Sequence, residues 1–98
     1  MKITELSNEF LKYMIKEYSS NQKDFFDWDT LSDLYPTESD KIKSDALCKL
    51  YNDGMVNLKW YDNLPKLIAL NIDAIIAAEQ DTTLNKIYRF LKEVREWL

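Results

Sequence analysis

Histidine is absent from this chain, cysteine and glycine occur once each, and proline twice. Each scarcity removes a class of chemistry. Without histidine the usual zinc ligand sets are missing, as is the usual base beside a nucleophilic serine or cysteine, and the lone Cys48 has no second thiol for an internal disulfide. One glycine cannot build the Gly-rich loop that cradles nucleotide phosphates. No run of about eighteen apolar residues is present, and the opening "MKITELSNEF" alternates charged with apolar residues, unlike a membrane span or the apolar stretch of a secretory signal. These readings point to a cytoplasmic chain that engages no membrane, holds no structural zinc and implies no cofactor.

What is present suits one domain with a single modest core: 98 residues, 46% hydrophobic and 13% aromatic. The charge, 13 basic against 17 acidic residues for a net of −4, has the wrong sign for a protein whose main task is to neutralise phosphates. Its distribution is uneven. Residues 1–40 carry 4 lysines against 9 carboxylates, residues 41–66 carry 5 against 3, residues 67–84 carry none against 3, and residues 85–98 carry 4 basic groups against 2. An anionic partner would therefore use the middle or the end.

Apolar side chains at Ile3, Leu6, Phe10, Tyr13, Met14 and Tyr18 share a helical face, which predicts a first helix over residues 3–18 followed by the polar loop "SSNQ". "DFFDWD" reads as a short isolated strand, after which Asp29 caps a short helix carrying Leu31, Leu34 and Tyr35 that Pro36 stops. Thr37 with Asp40 has capping-box spacing, so a further helix is predicted over 38–53 after a three- or four-residue turn. On its wheel Ile42, Ala46, Leu47, Leu50 and Tyr51 pack, while Lys41, Ser44, Asp45, Cys48, Lys49 and Asn52 look outward. The single glycine, Gly54, falls where the helical period gives way to alternation. It reads as the left-handed residue after an Asp53 C-cap, with Met55 placed to touch Leu50. Val56, Leu58 and Trp60 then alternate with Asn57, Lys59 and Tyr61, "DNLP" supplies a turn, and "KLIAL" returns as a second strand. Asn71 can cap a helix through "IDAIIAAEQ", and residues 82–98 form a last one striped by Leu84, Ile87, Tyr88, Leu91, Val94 and Leu98.

The expected fold class is mainly α with a small β-hairpin: one domain over residues 1–98 in which helix, turn, helix and hairpin follow in the order of a winged helix-turn-helix, with two additional C-terminal helices. "LCKLYNDGMVNLKWYDNLPKLIALN" followed by "LNKIYRFLKEVREWL" resembles the small bacterial and phage family called YjcQ, whose members join a helix ending in glycine to a hairpin with an acidic turn and a proline. They close on an aromatic and basic helix of the type seen in Tyr88, Lys92, Glu93 and Trp97. The likeness covers about residues 29–98 and implies a winged-helix fold, but it brings no catalytic residues. The chain departs from many winged helices in carrying Asn71 and Ala74 where those have Thr and Gly after the wing.

The outward face of residues 41–52 admits two readings. In one it is a recognition helix, with Lys41 and Lys49 on phosphates, Ser44 or Asn52 at base edges, and Lys59 and Lys66 contributing from the wing. In the other it is a solvated or protein-facing surface, since Asp45 repels phosphate and the helix has no arginine to read guanine bidentately. The run Asp24, Asp27, Asp29, Asp33 lacks the glycine and terminal glutamate of a calcium loop; it reads as an acidic patch, either plainly solvated or imitating phosphates toward another protein. Cys48 has no conventional base, and Lys49 beside it would lower its pKa slightly. No carboxylate pair is set by spacing for hydrolysis, so an enzyme is not expected. Two partner classes remain: double-stranded DNA, for a small regulator of transcription, or a protein, for an acidic inhibitor or adaptor of phage type.

Phe90 and Trp97 sit beside the stripe of the last helix and widen its apolar arc beyond the ~100° that one core contact uses, which makes them candidates for a partner or homodimer surface. If they anchor a homodimer, Trp97→Glu should weaken it by roughly 2 kcal/mol or more. Sedimentation equilibrium checks this; a wild-type chain that stays monomeric at high concentration removes the dimer.

Overall fold

The computed structural model describes residues 1–73 and 76. The candidates Phe90 and Trp97, and the expected helix over 82–98, lie outside the described residues. The elements run α1 (Ile3–Asn21), β1 (Phe25–Asp27), α2 (Trp28–Ser32), α3 (Asp40–Asn52), β2 (Val56–Tyr61) and β3 (Leu64–Leu70). Three helices thus pack with one small antiparallel sheet of order β1-β3-β2.

Helix α1 continues three residues past the expected end and stops at Gln22, which takes the left-handed conformation (φ 56°) while its N–H bonds the Tyr18 carbonyl. Its buried stripe is wider than the expected face: Leu11 and Ile15 join Leu6, Phe10 and Met14, whereas Ile3 in the first turn is exposed. The buried Ser7 hydroxyl lies 2.8 Å from the Ile3 carbonyl and 3.0 Å from the Ala46 carbonyl, so one proton is shared between its own helix and α3. Such a contact satisfies a polar group that would otherwise be costly in a dry interior.

The expectation of an isolated first strand needs correction. Phe25–Asp27 is not isolated; it pairs antiparallel with β3, Phe26 opposite Ile68, and both of these side chains are buried. Asp27 rather than Asp29 caps α2, its carboxylate accepting from the Thr30 N–H at 3.3 Å. The Thr30 side chain first, and then its backbone N–H, hold the Asp27 carboxyl below the usual range. Trp28, the first helical residue, turns into the core.

Helix α2 ends at Ser32, before Pro36, and α3 begins at Asp40, so residues 33–39 replace the expected short turn. The N–H groups of Leu34 and Tyr35 bond back only three residues, to Leu31 and Ser32, and the ring of Pro36 disfavours a helical Tyr35. The cap of α3 is Ser39, whose hydroxyl accepts from the Ile42 N–H at 3.2 Å, and not Thr37.

At its other end α3 closes on Gly54, with φ +79°. The Met55 N–H reaches the Leu50 carbonyl at 2.9 Å and the Gly54 N–H the Tyr51 carbonyl at 3.0 Å, the two bonds of a Schellman motif, and Leu50 and Met55 are both fully buried. The Asn71 side-chain amide donates to the Gly54 carbonyl at 3.1 Å, and its backbone N–H to the Met55 carbonyl at 2.9 Å. The end of the hairpin is thereby tied to the end of α3.

The hairpin turns through Asp62 and Asn63, both with positive φ (52° and 63°), as a two-residue type I′ loop demands. Its register shifts once: Lys59 faces Leu67 but Trp60 faces Pro65, leaving Lys66 as the extra residue of a bulge. The bulge lets β3 change parity, with Ile68 and Leu70 buried on one side of it and Pro65 on the other, and it accommodates a proline that has no N–H for the ladder.

A Cβ at Gly54 would meet no atom within 4 Å, so substitution there is opposed by backbone conformation alone. Gly54→Val should destabilise the domain by about 1 kcal/mol or more, and Gly54→Asn by distinctly less, because Asn visits the left-handed region readily. Urea unfolding midpoints of the two variants check the order.

Candidate nucleic-acid interface

Helix α3 buries Ala46, Leu47 and Leu50 and leaves the opposite side accessible. Tyr51, expected to pack, is instead 53% exposed: it stands one position past Leu50 in the last turn, where the helix leaves the core. Lys43, which the wheel assigned to neither face, is buried; its ammonium donates to the Ser32 hydroxyl at 2.8 Å and joins α3 to the end of α2. One of the five lysines in residues 41–66 is therefore withdrawn from the surface.

The two lysines expected to grip phosphate each meet a carboxylate one turn on. Lys41 Nζ lies 3.2 Å from Asp45 Oδ2, and Lys49 Nζ 2.8 Å from Asp53 Oδ2. The i,i+4 spacing puts each pair on one side of the helix, and in each case the carboxylate cancels the charge locally. Ser44 and Cys48 are half-buried between them, and Asn52 is exposed in the last turn. The sequence-predicted residues Lys41, Ser44, Lys49 and Asn52 are thus gathered on one element, but as a nearly neutral surface.

Lys59 and Lys66 both lie on the hairpin. Lys59 pairs with Leu67, Lys66 is the extra residue of the bulge beside that pair, and the Lys59 ammonium lies 5.8 Å from the centre of the Tyr61 ring. Trp60 shares the face of Val56 and Leu58, as alternation predicts, yet it is 45% exposed, and Tyr61 on the other face is 47% exposed. The inward face of β2 runs past the core: Val56 is buried, Leu58 partly so, and Trp60 half in solvent. Periodicity marks the face a residue occupies; it carries no information on where the covering layer ends.

Two other features are chemically quiet. A shallow groove of about 290 Å³ between α1 and the segment after α2 is lined by Glu9, Lys12, Tyr13, Lys16, Leu34 and Tyr35. Burial, then neighbouring carboxylates, raises the Tyr13 and Tyr35 hydroxyls, and Tyr35 donates to Glu9 at 3.3 Å, so neither phenol acts as a base near neutral pH. Among the described residues no three acidic, histidine or cysteine side chains gather to hold a metal ion, and no helix is long and apolar enough to cross a membrane.

The Cys48 thiol also differs from expectation. Burial and then the Asp45 charge push its pKa up, opposite to the lowering assigned to Lys49, whose ammonium is turned to Asp53. Comparison with known proteins finds no matching family model, no matching curated protein and no matching solved structure.

A raised thiol pKa means less thiolate at any pH below it, so iodoacetamide should alkylate Cys48 more slowly in the folded chain than in urea at pH 8. Mass spectrometry of timed aliquots checks this.

Proposed function

We propose that this chain is a winged-helix DNA-binding protein, a small regulator of transcription of the bacterial or phage type, in which α3 is the recognition helix and the β2–β3 hairpin the wing. The observation that carries the reading is the junction at Gly54. The Schellman bonds and the Asn71 amide hold α3 and the hairpin as one body, so Lys41 and Lys49 on the helix and Lys59 and Lys66 on the wing keep fixed relative positions. Backbone-contacting charges fix register on a duplex only when they are so held. The element order, with β1 adding a third strand to the hairpin, supports the same fold.

The internal ion pairs do not forbid such binding. An exposed i,i+4 pair such as Lys41–Asp45 is worth only about 0.3–0.5 kcal/mol, less than a phosphate contact offers the same ammonium, while the better covered Lys49–Asp53 pair opens at a greater cost. A second reading, a protein-binding module on the same scaffold, is favoured by the near neutrality of the α3 surface and by the acidic first 40 residues. Fold alone does not choose between them.

If Lys41, Lys49, Lys59 and Lys66 all contact duplex phosphates, the log–log salt dependence of binding should have a slope near −3.6, flattening by about one unit when any one is replaced by Ala. Asp45→Lys should tighten binding to any duplex, because it removes the carboxylate that holds Lys41 and adds a cation. Gel shifts across salt concentrations measure both effects. Failure of wild type and Asp45→Lys alike to bind at low salt would assign the scaffold to a protein partner.

A further inference from the structure

We propose that the end of the wing is a stacking wedge for a junction between duplex and single-stranded nucleic acid, with Trp60 against the last base pair and Tyr61 under the first unpaired base. The proposal rests on the DNA-binding reading and names the form of DNA preferred.

Three observations lead to it. The rings are adjacent in sequence and, by strand alternation, on opposite faces of the hairpin, so its end carries an aromatic surface on each side. Both are about half exposed, 45% and 47%, while the buried Pro65 opposite Trp60 and the paired Leu64 opposite Tyr61 stiffen the strand behind them. The face bearing Tyr61 also carries Lys59, whose ammonium sits 5.8 Å from the Tyr61 ring, and Lys66 is the extra residue of the bulge in the facing strand. An aromatic plane with an ammonium group over it matches a base beside its phosphate, the pairing that single-stranded sites use. A protein partner has no equal need for cations next to the ring.

Charge points the same way. With Lys43 buried and Lys41 and Lys49 each paired to an aspartate, phosphate neutralisation is a weak source of affinity, whereas stacking is not an ionic term. Stacking adds about tenfold per base. The turn residues Asp62 and Asn63 lie at the tip, where Asp62 keeps phosphates from crossing it and so directs a strand along the lysine side.

The experiment compares a blunt duplex with the same duplex carrying a single-stranded thymidine tail, by fluorescence anisotropy, for wild type, Trp60→Ala, Tyr61→Ala, Tyr61→Phe and Lys41→Ala, each checked for folding by circular dichroism. Wild type should bind the tailed form about tenfold more tightly, with the ratio retained on going from low to moderate salt. Tyr61→Ala should remove most of that preference and leave blunt-duplex affinity unchanged, Tyr61→Phe should keep it, and Trp60→Ala should weaken both forms, because a blunt duplex also ends in a base pair. Equal affinity for both forms overturns the wedge, as does a preference that disappears with salt, which marks phosphate contact alone, an equal loss on both forms in Tyr61→Ala, or no loss on either form in Trp60→Ala. If tails make no difference while Lys41→Ala weakens blunt binding, the wedge falls and the DNA-binding reading stands. If wild type binds neither form, both fall, and Trp60-dependent self-association in sedimentation would assign the rings to a protein contact.

Discussion

Gly54 is the point on which the rest of this domain turns. A helix that must end and a strand that must begin within two residues need a left-handed residue between them, and the only glycine in the chain stands there with φ +79°. The buried Leu50–Met55 contact that accompanies it sets the direction in which β2 leaves the helix. Because Asn71 returns at the far end of β3 to bond the Gly54 carbonyl, the same turn closes the hairpin back onto α3. β3 is in turn the central strand, and it recruits β1 and, through Asp27, the start of α2. A chain with so little glycine concentrates its conformational freedom at one joint, and five of the six elements among the described residues are ordered through it.

Electrostatics on α3 follow from helix geometry as much as from composition. Lysine four residues before aspartate is the weaker orientation of an i,i+4 pair, since the helix dipole favours the acidic partner toward the N-terminus. Lys49, in the last turn, gains from the dipole's negative end and is largely covered; Asp53 then sits at the C-cap, where a carboxylate is least welcome without a cation. Lys41, by contrast, is near the positive end and almost wholly exposed. The two lysines look equivalent in sequence, yet Lys41 lends its charge to an outside anion the more easily, while Lys49 must first open a shorter and better covered pair at the end of its own helix.

What was legible in the sequence was whatever is encoded within about one helical turn or one strand. The presence and order of α1 and of the hairpin, the role of Gly54 and the burial of Ala46, Leu47 and Leu50 all follow from local period and turn chemistry, whereas α1 runs three residues further than expected and Leu64 and Pro65, expected in the turn, belong to β3. The pairing of β1 with β3 was not legible, because Phe26 and Ile68 are far apart in the chain and neither local pattern names the other. The caps of α2 and α3 were each displaced by two residues in opposite directions, Asp27 for Asp29 and Ser39 for Thr37, in a stretch where several neighbouring Asp, Ser and Thr residues are acceptable caps. Lys43, placed on neither face, was not legible for a different reason: its burial is accompanied by a bond to a serine on another helix. The Lys41–Asp45 and Lys49–Asp53 pairs, however, were written in the i,i+4 spacing and could have been read from it.

Trp60 shows where pattern and packing part company. Alternation sets it on the inward face with Val56 and Leu58, and there it is, but a face is buried only as far as another layer reaches. The type I′ turn and the bulge at Lys66 carry the hairpin beyond the body formed by the helices, so the inward face emerges into solvent before the strand ends. An isolated exposed aromatic side chain needs no special account. Two in succession, on both faces of a stiffened hairpin end that also carries Lys59 and Lys66, form a surface that folding itself does not require. The same bulge that breaks the register inserts Lys66 into β3, so one extra residue both re-aims the strand and adds a charge near the aromatic end.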